Sequence, residues 1–544
     1  MVFDSFKDIN EIENSFCMKI TGWSKKDFSR FCSFIISLND TGGRAKEQIV
    51  ALYRYWLRKG VDQTSLSMMF NNNTSQNKIS HYLSQARVAI YKDFVPYFLG
   101  SKKGKSFFLA HKTATIVELH EMKKDVIVII VDGTYCRCEK SSNNQFQYVT
   151  YSEQKKDSLI KPFLVCCPDG WIIDCYGPFK ANNNDAKIFD YILTNDIDLS
   201  NILEKDKTTI LLDRGINNYF NLLIELKFKA KIPTCKQLEN KTESNSDQEE
   251  TKQLTIKQTT ESRLVTKCRY IIERINGMLK NFKSLDNIRN TQIGHIQIDY
   301  RIACAMLNFT HIPCVSDGDY SQQVAEKMKI RAEITENRLE FLLNKPLNTK
   351  PIQAVEHETI IDFPELTEDV LKNDIFFGSF QFKESFSYFE DLTKGNKAFL
   401  VSNDLLKKKE NIDLDAEYPN SKIVVLEVPS RHRRSEKNKL SKKDKKLNRA
   451  TTFKNSYKVF IHYIQKGCGP EAILGYICNC MSGRKILWSC VHVAAAITYL
   501  GFAKNKNFKI KGQRLKEVFK DTKEGKKPND TKYDFDREPS NSVK

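Results

Sequence analysis

The sequence lacks any apolar run of the roughly 18 residues that a membrane-spanning helix needs, and its first residues are too polar for a secretory signal peptide. Its 15 cysteines follow no regular spacing over 544 residues, and Cys166 and Cys167 lie inside an apolar stretch. A disulfide-stapled secreted domain is therefore disfavoured, and reduced thiols with one metal site are expected. We expect an intracellular protein with no membrane partner.

Negative charge is also in short supply. Lys and Arg number 86 against 67 Asp and Glu, which leaves a net charge of +19. This balance suits a polyanionic partner such as nucleic acid, although a membrane surface or simple solubility accounts for it as well. A hydrophobic content of 40% is enough for real cores, and the length predicts two to four domains.

Carboxylates follow two predicted strands. The run 126–131 contains only Val and Ile without alternation, which predicts a strand buried on both faces of a mixed sheet, and it ends at Asp132 and Gly133. A second apolar strand, 208–212, ends at Asp213. Side chains just beyond the carboxyl end of a central strand face the cleft where ligands bind. For Asp132 alone, a turn-capping role before Gly133 explains the residue about equally well.

A third carboxylate lies in 262–280, which has helical spacing. One stripe of this helix is apolar: Leu264, Cys268, Ile271, Ile275 and Leu279. A second stripe projects together on another face: Arg269, Glu273, Asn276 and Lys280. Two strand-end aspartates and one helix glutamate can hold two divalent cations roughly 3.5–4 Å apart for in-line phosphoryl displacement. Oxygen ligands of this kind favour Mg²⁺ or Mn²⁺ over Zn²⁺.

Several spaced motifs agree in order with one known group. They are Val131-Asp-Gly-Thr134, Tyr151-Ser-Glu-Gln-Lys-Lys156, Lys161-Pro-Phe-Leu164 with Pro168-Asp-Gly170, Gly177-Pro178 with Asn184-Asp185, Leu212-Asp-Arg-Gly215, and Thr266-Lys-Cys-Arg269 with Glu273, Asn276, Gly277 and Lys280. Over roughly residues 40–315 the chain thus resembles the eukaryotic DDE superfamily endonucleases, the transposase group related to Harbinger elements and to bacterial insertion-sequence transposases.

The resemblance implies an RNase H-like catalytic core over 106–315, within an α/β protein. It places the catalytic and Mg²⁺- or Mn²⁺-binding roles on Asp132, Asp213 and Glu273. Asp185 is a rival second acid, although its Asn-rich setting also suits a loop or a helix cap. The partner implied is double-stranded DNA, namely transposon ends and target. A homo-oligomer is inferred from the family alone, and a helper DNA-binding protein is an open possibility.

Residues 20–105 form a predicted helical headpiece. A helix over 45–60, a short helix, a polar turn and a helix over 76–90 are typical of a helix-turn-helix, whose last helix enters a DNA groove. The polar and basic side chains expected to contact DNA are Gln76, Asn77, Lys78, His81 and Arg87. A plain helical cap packed on the catalytic domain is the alternative, and the resemblance supports the DNA-binding one.

Within the predicted core, strands are expected at 145–151, 160–167 and 171–176, with a tight hairpin turn at 168–170. Lys155, Lys156 and Lys161 are expected at the cleft rim, where they meet either phosphates or solvent. Arg269 and Lys280 complete the predicted DNA contacts. The polar stretch 236–262 predicts an exposed, partly disordered or helical insert without catalytic weight.

The C-terminal half is predicted as an extended linker with basic runs (320–455), a small zinc module (456–505) and a basic disordered tail (506–544). The basic runs, 407–409 and 431–446, suit non-specific DNA binding or nuclear import, and we expect a nuclear location. The pairs Cys478/Cys480 and Cys490/His492 offer four ligands for a tetrahedral Zn²⁺ and resemble a SWIM-type zinc finger, which implies binding of DNA or protein. Four buried residues without metal are the alternative.

The first hypothesis is therefore a DNA transposase that cuts and joins element ends by two-metal phosphoryl transfer. The second is a domesticated, catalytically idle DNA-binding protein derived from a transposase. A zinc-dependent adaptor of other proteins is a third and weaker hypothesis.

Overall fold

The structure is a computed structural model that describes residues 2–41, 43–70, 74–213, 223, 228–233, 254–314, 318–344, 353–355, 359–389, 399–402, 418–429, 456–480, 485–504 and 506. The basic runs, most of the C-terminal tail and residues 236–253 of the predicted insert lie outside this part of the chain. None of the described helices combines the length and apolar character of a membrane span. None of the described cysteines forms a disulfide.

The first part of the chain is helical. Its helices are α1 (Asn14–Thr21), α2 (Lys25–Phe34), α3 (Lys46–Lys59), α4 (Gln63–Ser67), α5 (Gln76–Asp93), α6 (Val95–Phe98), α7 (Lys105–Ala110) and α8 (Ala114–His120). Helix α3 ends at Gly60, whose φ of +66° suits glycine, and Ser75 caps α5 by accepting a hydrogen bond from the Lys78 amide. Helices predicted near 45–60 and 76–90 are therefore confirmed.

A mixed sheet follows the helices. Its strands are β1 (Ile127–Gly133), β2 (Cys136–Arg137), β3 (Tyr151–Ser152), β4 (Asp157–Cys166), β5 (Ile172–Lys180), β6 (Thr208–Leu211) and β7 (Lys229–Lys231). The long β4 pairs with β5 on one side and with β1, then β2, on the other, all antiparallel. On the far side of β1, strands β6 and β7 run parallel to it. The sheet is therefore mixed, with β1 at its centre.

Strand β1 is buried on both faces, as its Val/Ile run predicts. Val128 and Ile130 join a core shared with the N-terminal helices, whereas Ile127, Ile129 and Val131 join the core of the opposite face. The hairpin from β4 to β5 turns at 167–170, where the Gly170 amide donates to the Cys167 carbonyl at 3.0 Å. The predicted strands 160–167 and 171–176 and their turn are confirmed.

The prediction of a strand over 145–151 is wrong. Residues Asn144–Thr150 form helix α9, and only Tyr151–Ser152 is extended. The Asn143 side chain caps this helix by accepting a hydrogen bond from the Phe146 amide at 3.0 Å. A short segment with alternating polar and apolar residues suits a helix turn as well as a strand, and the cap decides between them.

Four helices then flank the sheet: α10 (Asp185–Asn195), α11 (Ile197–Ile202), α12 (Ile256–Lys280) and α13 (Ile296–Phe309). Helix α12 starts with a capping box, because Thr255 Oγ1 accepts from the Gln258 amide and Gln258 Oε1 accepts from the Thr255 amide. It therefore begins six residues before the predicted start and takes up 256–262 of the predicted insert. The apolar stripe of α12 faces the core as expected.

The C-terminal half contains a second sheet. It consists of β8 (Gln353–Val355), β9 (Phe399–Ser402), β10 (Ser421–Pro429), β11 (Ser456–Ile464) and β12 (Ile473–Cys478), all antiparallel in that order. The helices of this half are α14 (Ser321–Ala332), α15 (Glu368–Val370), α16 (Ser379–Ser385) and α17 (Val491–Thr498). Short 3₁₀ and π turns lie at 4–7, 101–103, 283–285, 290–295, 318–320, 340–344, 371–375, 386–388, 470–472 and 499–503.

This sheet corrects the predicted linker. Three of its strands come from the predicted linker, 320–455, and the other two come from the first part of the predicted zinc module, 456–505. The apolar run from Ile423 to Leu426 indicates a strand, since its β-branched residues favour a buried strand. Linker and module are therefore joined through one sheet.

A buried ion pair joins the N-terminal helices to α13. Asp299 Oδ1 accepts hydrogen bonds from Arg87 Nε at 2.7 Å and from the Tyr53 hydroxyl at 2.5 Å. The side chains of Arg87 and Asp299 are 8% and 1% exposed. Removing one charge of such a pair leaves the other buried without compensation.

We therefore expect Arg87→Ala to lower the free energy of unfolding by roughly 3–5 kcal/mol. Chemical denaturation of the full chain measures this change. The control is Lys92→Ala, an exposed position on the same helix, which should change stability by less than about 0.5 kcal/mol. Equal losses in the two variants would contradict a dominant role for the Arg87–Asp299 pair.

Candidate active site

Two aspartates lie side by side where adjacent parallel strands end. In the β1–β6 pairing, Ile127 lies opposite Thr208 and Ile130 opposite Leu211. Continuing this register by two residues brings Asp132 and Asp213 to equivalent positions. Their proximity is thus a consequence of strand pairing.

Helix α12 brings the third acid, Glu273, close to the two aspartates, because its Arg269 contacts all three carboxylates. The Arg269 guanidinium lies 3.1 Å from Asp132 Oδ1, 3.6 Å from Asp213 Oδ1 and, one helical turn along, 3.2 Å from Glu273 Oε1. The Arg269 and Asp132 side chains are 9% and 11% exposed, whereas those of Asp213 and Glu273 are 47% and 61% exposed. The cluster therefore has a buried floor and an open rim.

The buried position changes the titration of Asp132. Burial raises its pKa to about 7, the Arg269 charge opposes this rise, and Glu273, Asp185 and Asp213 add to it. A carboxylate that protonates near neutral pH among other acids is typical of sites built to hold a cation. Oxygen ligands at a partly open site fit a hard divalent cation.

Asn276 also contacts Asp132, a role that the sequence did not specify. Its Nδ2 donates to Asp132 Oδ2 at 2.9 Å, while Arg269 holds Oδ1 of the same carboxylate. Among the described atoms, its own Oδ1 is buried without a hydrogen-bond partner. Two neighbours on α12 thus fix the orientation of Asp132. The shared stripe of the helix was the available signal.

Asp185, the rival second acid, lies beside the cluster at the first turn of α10. Its Oδ1 is 2.8 Å from Lys161 Nζ, which pairs with it. A Cβ atom on Gly133 would lie only 2.3 Å from Asp185 Oδ1, so this glycine allows the close approach. Burial raises the pKa of Asp185, and Lys161 opposes the rise. The site therefore contains a fourth carboxylate that already has a cationic partner.

A groove of about 1270 Å³ opens next to Asp185. Basic and aromatic side chains line it: Tyr135, Lys140, Tyr148, Tyr151, Lys156 and Lys161. Helix α9, in place of the expected strand, presents Tyr148 with 77% of its surface exposed. Lys155 is exposed on the adjacent turn. Cationic and aromatic groups in one groove suit a nucleic-acid strand.

The other predicted DNA contacts are distributed unevenly. Gln76, Asn77, Lys78 and His81 lie exposed at the protein surface on the first turns of α5. Arg87, by contrast, is buried against Asp299 and does not reach that surface, because the helix turns this position inward. Lys280 lies half-buried at the end of α12, two turns beyond Glu273. Arg269 lies between the acids rather than on an outer face.

The Cys/His group forms a separate compact cluster. The ligand atoms of Cys478, Cys480, Cys490 and His492 all lie within 4.8 Å of one another. Strand β12 ends at Cys478, and Cys490 caps α17, so sheet and helix hold the two pairs. The Val493 amide donates to Cys490 Sγ at 3.5 Å. Burial raises the pKa of the Cys490 thiol to about 12, because it disfavours the charged thiolate. A bound cation would stabilise the thiolate and so oppose this rise.

Comparison with protein families places this geometry in context. Residues 131–308, about a third of the chain, match the family model described as DDE superfamily endonuclease. The matched stretch contains Asp132, Asp213 and Glu273. It supports a DDE transposase-like family and a nuclease-type function, which implies DNA binding. The comparisons with curated proteins and with solved structures gave no match.

The raised pKa of Asp132 predicts a pH-dependent stability in the absence of divalent metal. Between the usual value of 3.8 and about 7 the folded chain binds the proton more tightly than the unfolded chain. The Asp132 contribution to stability is therefore most favourable below this window and is lost as pH rises through it, by at most about 1.4 kcal/mol per unit.

Denaturation of wild type and Asp132→Asn in chelator, over pH 4 to 8, isolates this contribution. We expect the stability of the wild type to fall relative to the variant as pH rises to about 7 and then to level off. A difference that stays constant across the range would contradict the raised pKa.

Proposed function

We propose that the chain is a metal-dependent DDE endonuclease of the transposase type, which cuts and joins DNA. The observation that supports this most is the convergence of Asp132, Asp213 and Glu273 on one guanidinium, inside the stretch that matches the family model. The three acids come from two strand ends and one helix, in the order that the sequence predicted.

The sheet supports an RNase H-like core for this enzyme. From one edge, β5, β4 and β1 are antiparallel neighbours, and β6 and β7 continue parallel to β1. This order is the one expected for that architecture, with the first strand at the centre and an acid at its carboxyl end. Helix α12 then packs against the sheet and supplies the last acid.

Asp132, Asp213 and Glu273 would hold two Mg²⁺ or Mn²⁺ ions. Bound there, the ions would activate the attacking oxygen and stabilise the leaving oxygen of a phosphodiester. Asn276 and Arg269 orient Asp132 for this task. Water would attack in cleavage and a DNA 3′-hydroxyl in joining, so that one P–O bond forms as another breaks and no covalent enzyme intermediate arises.

DNA contacts are proposed at three places. Lys156 lines the groove and Lys155 is exposed beside it. On α12, Arg269 lies between the acids and Lys280 lies two turns beyond Glu273. The exposed start of α5 carries Gln76, Asn77, Lys78 and His81. This last surface would act as the helix-turn-helix-like reader of element ends. A homo-oligomer, a helper protein and a nuclear location belong to the same proposal.

The Cys/His cluster is proposed to bind Zn²⁺ as a SWIM-like module. One pair of thiolates at a strand end and one thiolate–imidazole pair at a helix start suit a closed tetrahedral site. The module would bind DNA or protein beside the catalytic core.

Cleavage of labelled terminal DNA with Mg²⁺ tests the catalytic proposal. We expect Asp132→Asn, Asp213→Asn and Glu273→Gln each to lose nicking by at least roughly a hundredfold, because each removes a metal ligand. Glu261→Gln, an exposed position on the same helix, should keep full activity.

The outcomes separate the hypotheses. Equal nicking by wild type and all three variants points to a contaminating nuclease. Wild type that binds this DNA yet nicks it with neither Mg²⁺ nor Mn²⁺ favours the idle, domesticated protein. Loss in Asp185→Asn with activity retained in Asp213→Asn would move the second metal ligand to Asp185.

Zinc content tests the module. We expect Cys490→Ser to lower the bound zinc by one ion per chain, because one of four ligands is lost. Cys468→Ser, an exposed thiol outside the cluster, is the matched control and should leave zinc content unchanged. Elemental analysis of both purified variants measures this, and equal zinc in wild type and Cys490→Ser would contradict the site.

A further inference from the structure

We propose that His111, Asp169 and His311 form an additional site for a transition-metal dication such as Zn²⁺. One ligand atom from each residue lies within 4.8 Å of the other two. Two imidazoles and one carboxylate are a common protein ligand set for zinc, with the remaining positions left to water. The site is independent of the proposed nuclease function and of the Cys/His cluster.

The three ligands already face one another. His111 Nδ1 lies 2.7 Å and His311 Nε2 lies 3.2 Å from the same oxygen, Asp169 Oδ2. These ligand-to-ligand distances are close to those around a small ion bound at about 2.0–2.2 Å, so a small outward shift suffices. The alternative is that the imidazoles simply donate hydrogen bonds to Asp169.

Hydrogen bonds from outside the group hold the carboxylate in place. The Trp171 amide donates to Asp169 Oδ1 at 3.1 Å, which leaves Oδ2 for the two histidines. The Cys314 amide donates to the Asp169 carbonyl at 2.7 Å and so ties the segment of His311 to the hairpin turn. Support of this kind from a second layer of residues is a usual feature of metal sites.

Aromatic rings form one wall of the site. The Trp171 ring centroid lies 5.1 Å from that of His111 and 5.5 Å from that of His311, and Phe107 lies 4.6 Å from His111. The side chains of His111, Asp169 and His311 are 16%, 8% and 12% exposed. An ion can therefore reach the site, yet it would be shielded on one side by apolar surface.

The site lies at the opposite end of the sheet from the acid cluster. Strand β4 runs antiparallel to β1, Asp132 pairs with Leu164, and Asp169 follows the far end of β4. His111 comes from the end of α7 and His311 from just after α13. A bound ion would thus cross-link three segments that are distant along the chain, and its expected role is structural.

Metal counting on the full-length chain tests this site. After chelator treatment and dialysis against Zn²⁺, we expect the wild type to hold one more zinc ion than His111→Gln/His311→Gln. Glutamine can still donate a hydrogen bond to Asp169, so the variant separates metal binding from hydrogen bonding. His295→Gln, an exposed histidine outside the cluster, should match the wild type. Equal zinc in all three proteins would overturn the proposal.

A second measurement does not depend on the folding of the double variant. In Cys478→Ser/Cys490→Ser, which leaves the histidines intact, electron paramagnetic resonance of bound Cu²⁺ should show coupling to two imidazole nitrogens. We also expect added Zn²⁺ to raise the melting temperature of this protein. A Cu²⁺ signal without imidazole coupling, together with no thermal shift, would show that the three residues are a hydrogen-bonded group only.

Discussion

The candidate active site depends on how one guanidinium compensates carboxylates that the fold forces together. Strand pairing places Asp132 next to Asp213, and α12 adds Glu273, so the site concentrates negative charge at a partly buried position. Arg269 lies among them and contacts all three. Burial raises the pKa of Asp132 to about 7, Arg269 opposes this rise only in part, and the neighbouring acids add to it. Divalent cations bound among these acids would compensate their negative charge and so stabilise the cluster.

The scaffold explains why the acids can lie so close together without disrupting the fold. Asp132 belongs to a strand buried on both faces, Asp213 follows the neighbouring strand β6, and Glu273 belongs to a long, capped helix packed on the same core. Asn276 and Arg269 hold the two oxygens of Asp132 separately, so the carboxylate keeps one orientation. A rigid floor and an open rim suit a site that must admit a DNA phosphate.

Periodicity was enough to predict β1, β6 and α12, with Asp132 and Asp213 at strand ends and Glu273 on the helix. They could not show that Arg269 lies between the acids, because that depends on the rotation of α12 against the sheet. The burial of Arg87 could not be predicted for the same reason: polar residues line both sides of α5, so the sequence does not show which side faces inward. The strand expected at 145–151 failed because the Asn143 cap outweighed a short alternation. No sequence pattern indicates the group of His111, Asp169 and His311, because Asp169 lies 58 residues from His111 and 142 residues from His311 along the chain.

Crystals of the full chain soaked with Mn²⁺ offer the most direct measurement of the central claim. Anomalous scattering should reveal manganese bound between the side chains of Asp132, Asp213 and Glu273, with Arg269 no longer bridging all three. Manganese bound elsewhere, or an Arg269 that still bridges all three acids at saturating Mn²⁺, would contradict the account.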